Sequence, residues 1–147
     1  MIKTDLLEHV SGMITEKISR LQHDISDLQK DIAEDSKSSA GDKFETSREM
    51  AQQELLKLGT QLAEQQRLKN LVESQSAETS STIKVGTLVQ TNSGVFLVGI
   101  PIGKFLFQNT VVIGIGVGAP LGQLLLNKSE NDRFTFNGQN FQIEKIS

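Results

Sequence analysis

Residues 14–32, ITEKISRLQHDISDLQKDI, decide the first half of the fold because their apolar side chains recur at alternating intervals of three and four. One apolar series is Leu7, Ile14, Leu21 and Leu28, and a second series, Ile18, Ile25 and Ile32, is interleaved with it. This alternation is typical of the a and d positions of a left-handed coiled coil. The stretch therefore predicts a long helix that buries one narrow seam.

A second apolar series with similar spacing begins after the stretch 34-EDSKSSAGDKFE-45. Its members are Ala51, Leu55, Leu58, Leu62 and either Leu71 or Val72. Because so short a connection favours antiparallel neighbours, the two helices should pack on each other. We therefore expect an antiparallel coiled-coil hairpin over residues 1–75, about 45 Å long, with its tip at residues 34–45.

The second half of the chain has a different composition, rich in Val, Ile, Phe and Gly. A polar, Ser/Thr-rich segment supplies a linker at residues 76–82. Beyond it, alternating patterns predict five strands and one short helix, Leu121 to Leu126. The strands are expected near 87–90, 95–99, 111–117, 133–136 and 140–145. Asn137-Gly138 is typical of a type I′ hairpin turn. The fold class is thus α+β, with a small antiparallel β domain over residues 83–147.

The composition excludes several classes of protein. Residues 1–76 carry 14 acidic and 10 basic side chains, and residues 77–147 carry 4 and 5, so neither half has the basic excess of a strong nucleic-acid binder. The absence of cysteine excludes thiolate catalysis and Cys-ligated zinc.

No membrane association is expected. Asp5 and Glu8 lie where a secretory signal would need an apolar core. The uncharged run 110–126 contains β-branched residues and is broken by Ala119-Pro120, which favours a buried strand and a short helix over a membrane span. We expect a cytoplasmic protein.

Four acidic residues surround the predicted hairpin tip: Glu34, Asp35, Asp42 and Glu45. Asp42 and Glu45 have the spacing of an N-terminal capping box, which explains Asp42 structurally without forbidding a further role. Asp35 lies near the end of the first helix, where the helix dipole disfavours anions. It is either a solvated position offset by Lys30 and Lys37, or part of a functional site.

Other candidate sites have weaker support. His9 and His23 are 14 residues apart and have no clustered partner, so we expect surface or seam-edge positions rather than metal ligands. The run 114-GIGVG-118 lacks the Lys-Ser/Thr ending of a phosphate-binding loop.

Two stretches carry a resemblance to a known family. The segment 111-VVIGIGVGAPLGQLLLNKSENDRFTFNGQNFQIEKIS-147 contains a strand, an Ala-Pro-Leu turn, a short helix and a hairpin. On the second helix lies 44-FETSRE-49. In this order the parts resemble the Gre-type transcript cleavage factors of bacterial RNA polymerase. There the turn reads Ser-Pro-Leu, where this chain has Ala119, and the helix motif reads YHAARE, where this chain has Phe44.

The resemblance implies an immunophilin-like (FKBP-like) C-terminal domain and RNA polymerase as the partner. In that family the coiled coil enters the polymerase secondary channel, and the globular domain holds the channel rim. Ala119, Pro120 and Leu121 are the docking positions that the resemblance implies. It also implies no catalytic residues of the chain's own and no stably bound cofactor. Two acids at the family's tip help to hold a Mg²⁺ ion shared with the polymerase active centre.

The tip differs from the family pattern D-L-x-E-N-A-E-Y. An alignment on Phe44 places Lys37 and Ala40 at the two acidic positions, and neither can bind a metal. The nearest acids, Asp35 and Asp42, are the candidate ligands for a shared Mg²⁺. Gly41, Phe44 and Arg48 are the candidate tip-support residues.

Three functions remain open at the level of sequence. The first is an elongation factor that acts on paused or backtracked complexes, with or without assisting Mg²⁺-dependent transcript cleavage. The second is a channel-binding regulator without cleavage activity, which Lys37 and Ala40 favour. The third is an oligomeric coiled-coil protein unrelated to polymerase. Because a hairpin fills its own seam, we expect a monomer.

Overall fold

The computed structural model describes residues 1–38, 42–75 and 78–147, apart from the side chains of 35–38 and 42–44. Two long helices come first, α1 (Lys3–Ser38) and α2 (Asp42–Glu73). The chain forms two compact units, one of residues 11–70 and one that combines residues 1–10 with 71–147. The domain boundaries drawn from the sequence stay predictions.

The unit of residues 11–70 is a helical hairpin with one narrow seam. The seam is defined by the apolar positions shielded from solvent on each helix, together with one glutamine. On α1 these are Ile14, Ile18, Leu21, Ile25, Leu28 and Ile32, and on α2 they are Ala51, Leu55, Leu58, Leu62, Gln65 and Leu68. The groove lined by Gln61 and Gln65 is also lined by four residues of α1, which are Lys17, Arg20, Leu21 and Asp24. An early part of α1 therefore lies beside a late part of α2. The predicted hairpin and its heptad seam are confirmed.

The other unit contains a six-stranded sheet and a short helix. The strands are β1 (Leu88–Thr91), β2 (Gly94–Val98), β3 (Gly103–Phe107), β4 (Thr110–Ile115), β5 (Arg133–Phe136) and β6 (Gln139–Ile146). Their order across the sheet is β3-β4-β2-β1-β6-β5. The short helix α3 (Pro120–Leu125) follows β4 in the chain, close to its predicted position.

The sequence-based prediction of the β domain was wrong in two respects. The observed sheet contains six strands rather than five, and it is mixed rather than antiparallel, because β2 and β4 pair in parallel. The missed strand is β3, which forms a tight hairpin with β4. Its turn residues, Gln108 and Asn109, have φ values of 49° and 62°, and this pair lacks the glycine by which such a turn is usually predicted.

The sheet has a core on each face. On one face, α3 helps to cover a cluster built from β1, β2 and β6; its buried members are Ile83, Val89, Phe96, Val98, Leu125, Phe141, Ile143 and Ile146. Near β3, the first turns of α1 contribute Leu6 and Val10, both fully buried. The His9 ring stacks on Phe105 at a centroid distance of 6.2 Å and is tilted by 50° against Phe107 at 5.2 Å. Residues 1–10 are therefore part of the sheet unit.

Within the described residues, no helix is both long enough and apolar enough to cross a membrane.

Candidate functional site

The end of the hairpin between α1 and α2 is the site that the sequence singles out. α1 continues to Ser38, so the backbone of Asp35 is helical and lies about one turn before the helix ends. α2 begins at Asp42. The two helix ends are therefore joined by residues 39–41 alone, which places acidic residues on both sides of a very short connection.

The described side chains at this end are solvent-exposed. Glu34 on α1 and Glu45 on α2 are exposed, as is Arg48 one turn further along α2. Gly41 and the side chains of Asp35, Asp42 and Phe44 lie outside the described residues. In the heptad count, Asp35 follows the seam residue Leu28 by seven positions, so the acidic position continues the seam series of α1.

A metal site complete in itself is not present in the part of the chain that the structure describes. No group of three or more His, Asp or Glu side chains there could hold a metal ion. A Mg²⁺ ion keeps several waters and is often bound through only one or two carboxylates, with the remaining ligands supplied by a substrate.

The hairpin also contains one buried polar atom that the apolar pattern did not predict. Gln65 occupies a seam position between Leu62 and Leu68, and its Oε1 atom is buried without a hydrogen-bond partner among the described residues. Beside it lies a groove of about 450 Å³ that Lys17, Arg20 and Gln61 help to line. The seam therefore has one polar interruption. The only sequence signal for it was a gap in the apolar series after Leu62.

Two pairs of ionisable side chains on the hairpin form local contacts. Arg67 donates two hydrogen bonds to the Glu64 carboxylate, at 3.0 and 2.7 Å. These hydrogen bonds, helped by the charge of Arg67, lower the pKa of Glu64. His23 lies 3.1 Å from the Asp27 carboxylate. Both pairs lie on the exposed surface, where ion pairs contribute little to stability.

The three predicted docking residues lie at the start of α3. Ala119 is extended, with φ −69° and ψ 148°, and Pro120 takes the first turn of the helix. Pro120 is exposed, whereas Leu121 is half-buried and packs against the core. Of the three, Pro120 offers the most surface to a partner. Leu124, on the same helix, is 37% exposed and adds apolar surface that the sequence did not single out.

Gly122 explains why this turn can be so tight. It is buried, and a Cβ atom at this position would clash with the Gly116 carbonyl oxygen. The Ala119 N–H donates to the same carbonyl at 3.2 Å. The absence of a side chain at Gly122 therefore allows the chain to fold closely on itself, and no phosphate ligand is needed to account for this glycine.

Comparison with known proteins gives matches among solved structures alone. No family model matches the chain, and no curated protein matches it. The chain is similar to the "GreA factor homolog 1 (Gfh1) protein of Thermus thermophilus", with a TM-score of 0.38 and 14% identity over 93% of this chain and 94% of that one. It is similar to a structure described as the "transcription factor Gfh1", with a TM-score of 0.38 and 16% identity over 92% of both chains. It is also similar to Thermus aquaticus Gfh1, with a TM-score of 0.35 and 17% identity over 92% of both chains.

Proposed function

We propose that this protein is an RNA polymerase-binding elongation factor whose helical hairpin enters the polymerase secondary channel. The observation that carries the proposal is a two-helix hairpin, closed by only three residues between Ser38 and Asp42, with acids on both sides of its turn. The motif around Ala119-Pro120-Leu121, in a sheet unit with the short helix that the motif predicts, adds to it.

The chemistry at the hairpin end would depend on the polymerase. The chain itself would catalyse nothing, because two carboxylates give a Mg²⁺ ion too few ligands without other groups. Asp35 and Asp42, with Glu34 and Glu45 beside them, would add negative charge at the polymerase active centre. There they would help to hold a second Mg²⁺ ion and to orient the attacking water. Orienting this water is the usual role of a second metal ion in phosphoryl chemistry.

A second candidate function keeps the binding and omits the cleavage. Lys37 and Ala40 occupy the positions where the resembling family has acids. A lysine there would repel a cation rather than bind it. In this version the hairpin occupies the channel and excludes other factors without stimulating hydrolysis of the transcript.

Stalled elongation complexes separate the two candidates. We expect the wild-type chain to bind the complexes and to accelerate 3′-cleavage of the transcript. The double variant Asp35→Ala/Asp42→Ala should still bind but leave cleavage at its unassisted rate. A matched control is Asp24→Ala/Glu54→Ala, which removes two exposed acids from the middle of the hairpin.

Each outcome has a distinct meaning. Binding without cleavage by any variant would select the channel regulator. Equal cleavage by the wild type and the tip variant would reject Asp35 and Asp42 as metal ligands. A failure of the wild type to bind polymerase at all would overturn both candidates.

A further inference from the structure

The hairpin of β5 and β6 carries a polar cleft that the proposed function does not use. The cleft has a volume of about 460 Å³. Phe134 and Phe141 take part in its lining, and the polar part of the lining comes from Asn92, Arg133, Thr135, Asn140 and Gln142. The register pairs Arg133 with Gln142 and Thr135 with Asn140. These four side chains therefore lie on one face of a two-stranded ribbon.

The ribbon is held firmly from its other face. Phe134 and Phe141 are paired across the two strands, and their rings stack with centroids 5.1 Å apart and planes 5° from parallel. Phe141 belongs to the buried core. The Asn92 side chain accepts a hydrogen bond from the Gln142 backbone N–H at 2.8 Å, which fixes β6 beside the cleft. The polar face is thus preorganised.

Arg133, Asn140 and Gln142 each bring hydrogen-bond donors to the lining of the cleft. Thr135 Oγ1 donates to Asn140 Oδ1 at 2.9 Å, which leaves the Asn140 amide N–H groups directed elsewhere. Among the described residues, no carboxylate forms an ion pair with Arg133. The neighbouring Asp132 accepts a hydrogen bond from the Ser129 N–H at 2.7 Å. Glu144, the next outward residue of β6, makes no ion pair with Arg133 among the described residues. An arginine with adjacent amide donors is the chemistry that binds a carboxylate.

The backbone of β5 is open beside this cleft. β5 is the last strand of the sheet. Phe136 and Gln139 are the pair that closes the two-residue Asn137-Gly138 turn, and such a closing pair is hydrogen-bonded. Along an antiparallel ladder, hydrogen-bonded pairs alternate with pairs that are not hydrogen-bonded. The N–H and C=O groups of Arg133 and Thr135 consequently point away from β6, toward solvent. An edge of this kind can pair with another extended chain.

The opposite edge of the sheet differs in this respect. On that edge, the Leu106 carbonyl oxygen of β3 points outward and lies 3.1 Å from His9 Nε2. The first turns of α1 thus cover part of that edge. On β5, by contrast, no hydrogen bond from another described residue reaches the outward backbone groups of Arg133 and Thr135, and the cationic Arg133 side chain lies at the same place. We propose that the β5 edge binds an extended acidic peptide segment of a partner protein, with strand pairing to β5 and one carboxylate on Arg133.

The test uses the full-length ¹⁵N-labelled chain and a capped seven-residue peptide of alternating valine and glutamate. We expect the peptide to shift the backbone amide signals of Arg133 and Thr135. Replacing its glutamates by glutamines, or making Arg133→Gln, should weaken binding about fivefold, the scale of an exposed ion pair. Lys104→Gln removes the same charge from the opposite edge strand and should leave the affinity unchanged.

Several results would overturn the inference. One is the absence of shifts on β5, and another is equal affinity for the glutamate and glutamine peptides. Inorganic phosphate that produced the same shifts and displaced the peptide would show that the cleft binds oxyanions without pairing a strand. If Arg133→Gln left peptide affinity intact and made the chain self-associate, Arg133 would be a guard against edge pairing. Circular dichroism of each variant confirms that it is folded.

Discussion

At the scale of one residue, Lys3 is a charged side chain that the fold shields from solvent, and this shielding lowers its pKa. The residue as a whole is only 9% exposed, and its Nζ donates to the Glu78 carbonyl oxygen at 3.2 Å. Burial lowers the pKa of Lys3, and repulsion from Lys84 lowers it further. The folded state therefore holds this proton less tightly than the unfolded state does. Stability must rise with pH between the lowered pKa and the ordinary value of a lysine near 10.5.

Replacing Lys3 by methionine should remove this pH dependence. In thermal melts between pH 8 and the ordinary lysine pKa, we expect the melting temperature of the wild type to rise relative to that of Lys3→Met. The reason is that the unfolded wild type binds more protons than the folded form across that window. Lys104→Met, at an exposed position, should follow the wild type. A constant difference between wild type and Lys3→Met across the range would contradict the assignment.

Single residues also decided which turns could be predicted. Asn137-Gly138 was recognised from the sequence, and both residues have positive φ, 51° and 76°. Gln108-Asn109 adopts a similar conformation but is not a common pair for it. Tertiary pairing of β3 with β4 overrides the weak local preference there, so one strand escaped prediction.

At the scale of an element, the hairpin seam was predictable and its polar interruption was not. Heptad spacing depends only on sequence intervals, so it located Ile14 to Ile32 and Ala51 to Leu62 correctly. Gln65 could not be placed this way, because an isolated glutamine fits either a seam or an exposed face. A buried polar atom without a partner costs about 1–3 kcal/mol, and Gln65 Oε1 is such an atom among the described residues.

Gln65→Leu should therefore stabilise the hairpin. We expect the free energy of unfolding to increase by about 1–2 kcal/mol in urea denaturation, because the unsatisfied amide is removed and apolar area is buried. Gln66→Leu is the matched control, since Gln66 is exposed and should change stability by less than about 0.5 kcal/mol. A smaller effect at position 65 than at position 66 would show that the amide is satisfied in solution, for example by a bound water.

At the scale of the whole molecule, the order of elements was predictable and the long-range pairing was not. Local patterns identified the hairpin, five strands and α3, but the parallel contact of β2 with β4 joins segments separated by β3. The sequence of β2 or of β4 alone does not indicate that the other strand is its neighbour in the sheet. The assignment of residues 1–10 to the sheet unit likewise depends on contacts such as His9 with Phe107, which join distant parts of the chain.

The filled seam leads to a prediction about association. Each helix of the hairpin shields its apolar series from solvent within the same chain. The described residues therefore leave no continuous seam for a second copy, as a coiled-coil oligomer would require. Sedimentation equilibrium should give the mass of a single chain, 16.2 kDa, at every loading concentration. A mass that rose toward the dimer with concentration would favour the oligomeric coiled-coil protein. Repeating the measurement with Leu62→Asp distinguishes the cause: a dimer built on the seam would dissociate, whereas one built on the β5 edge would persist.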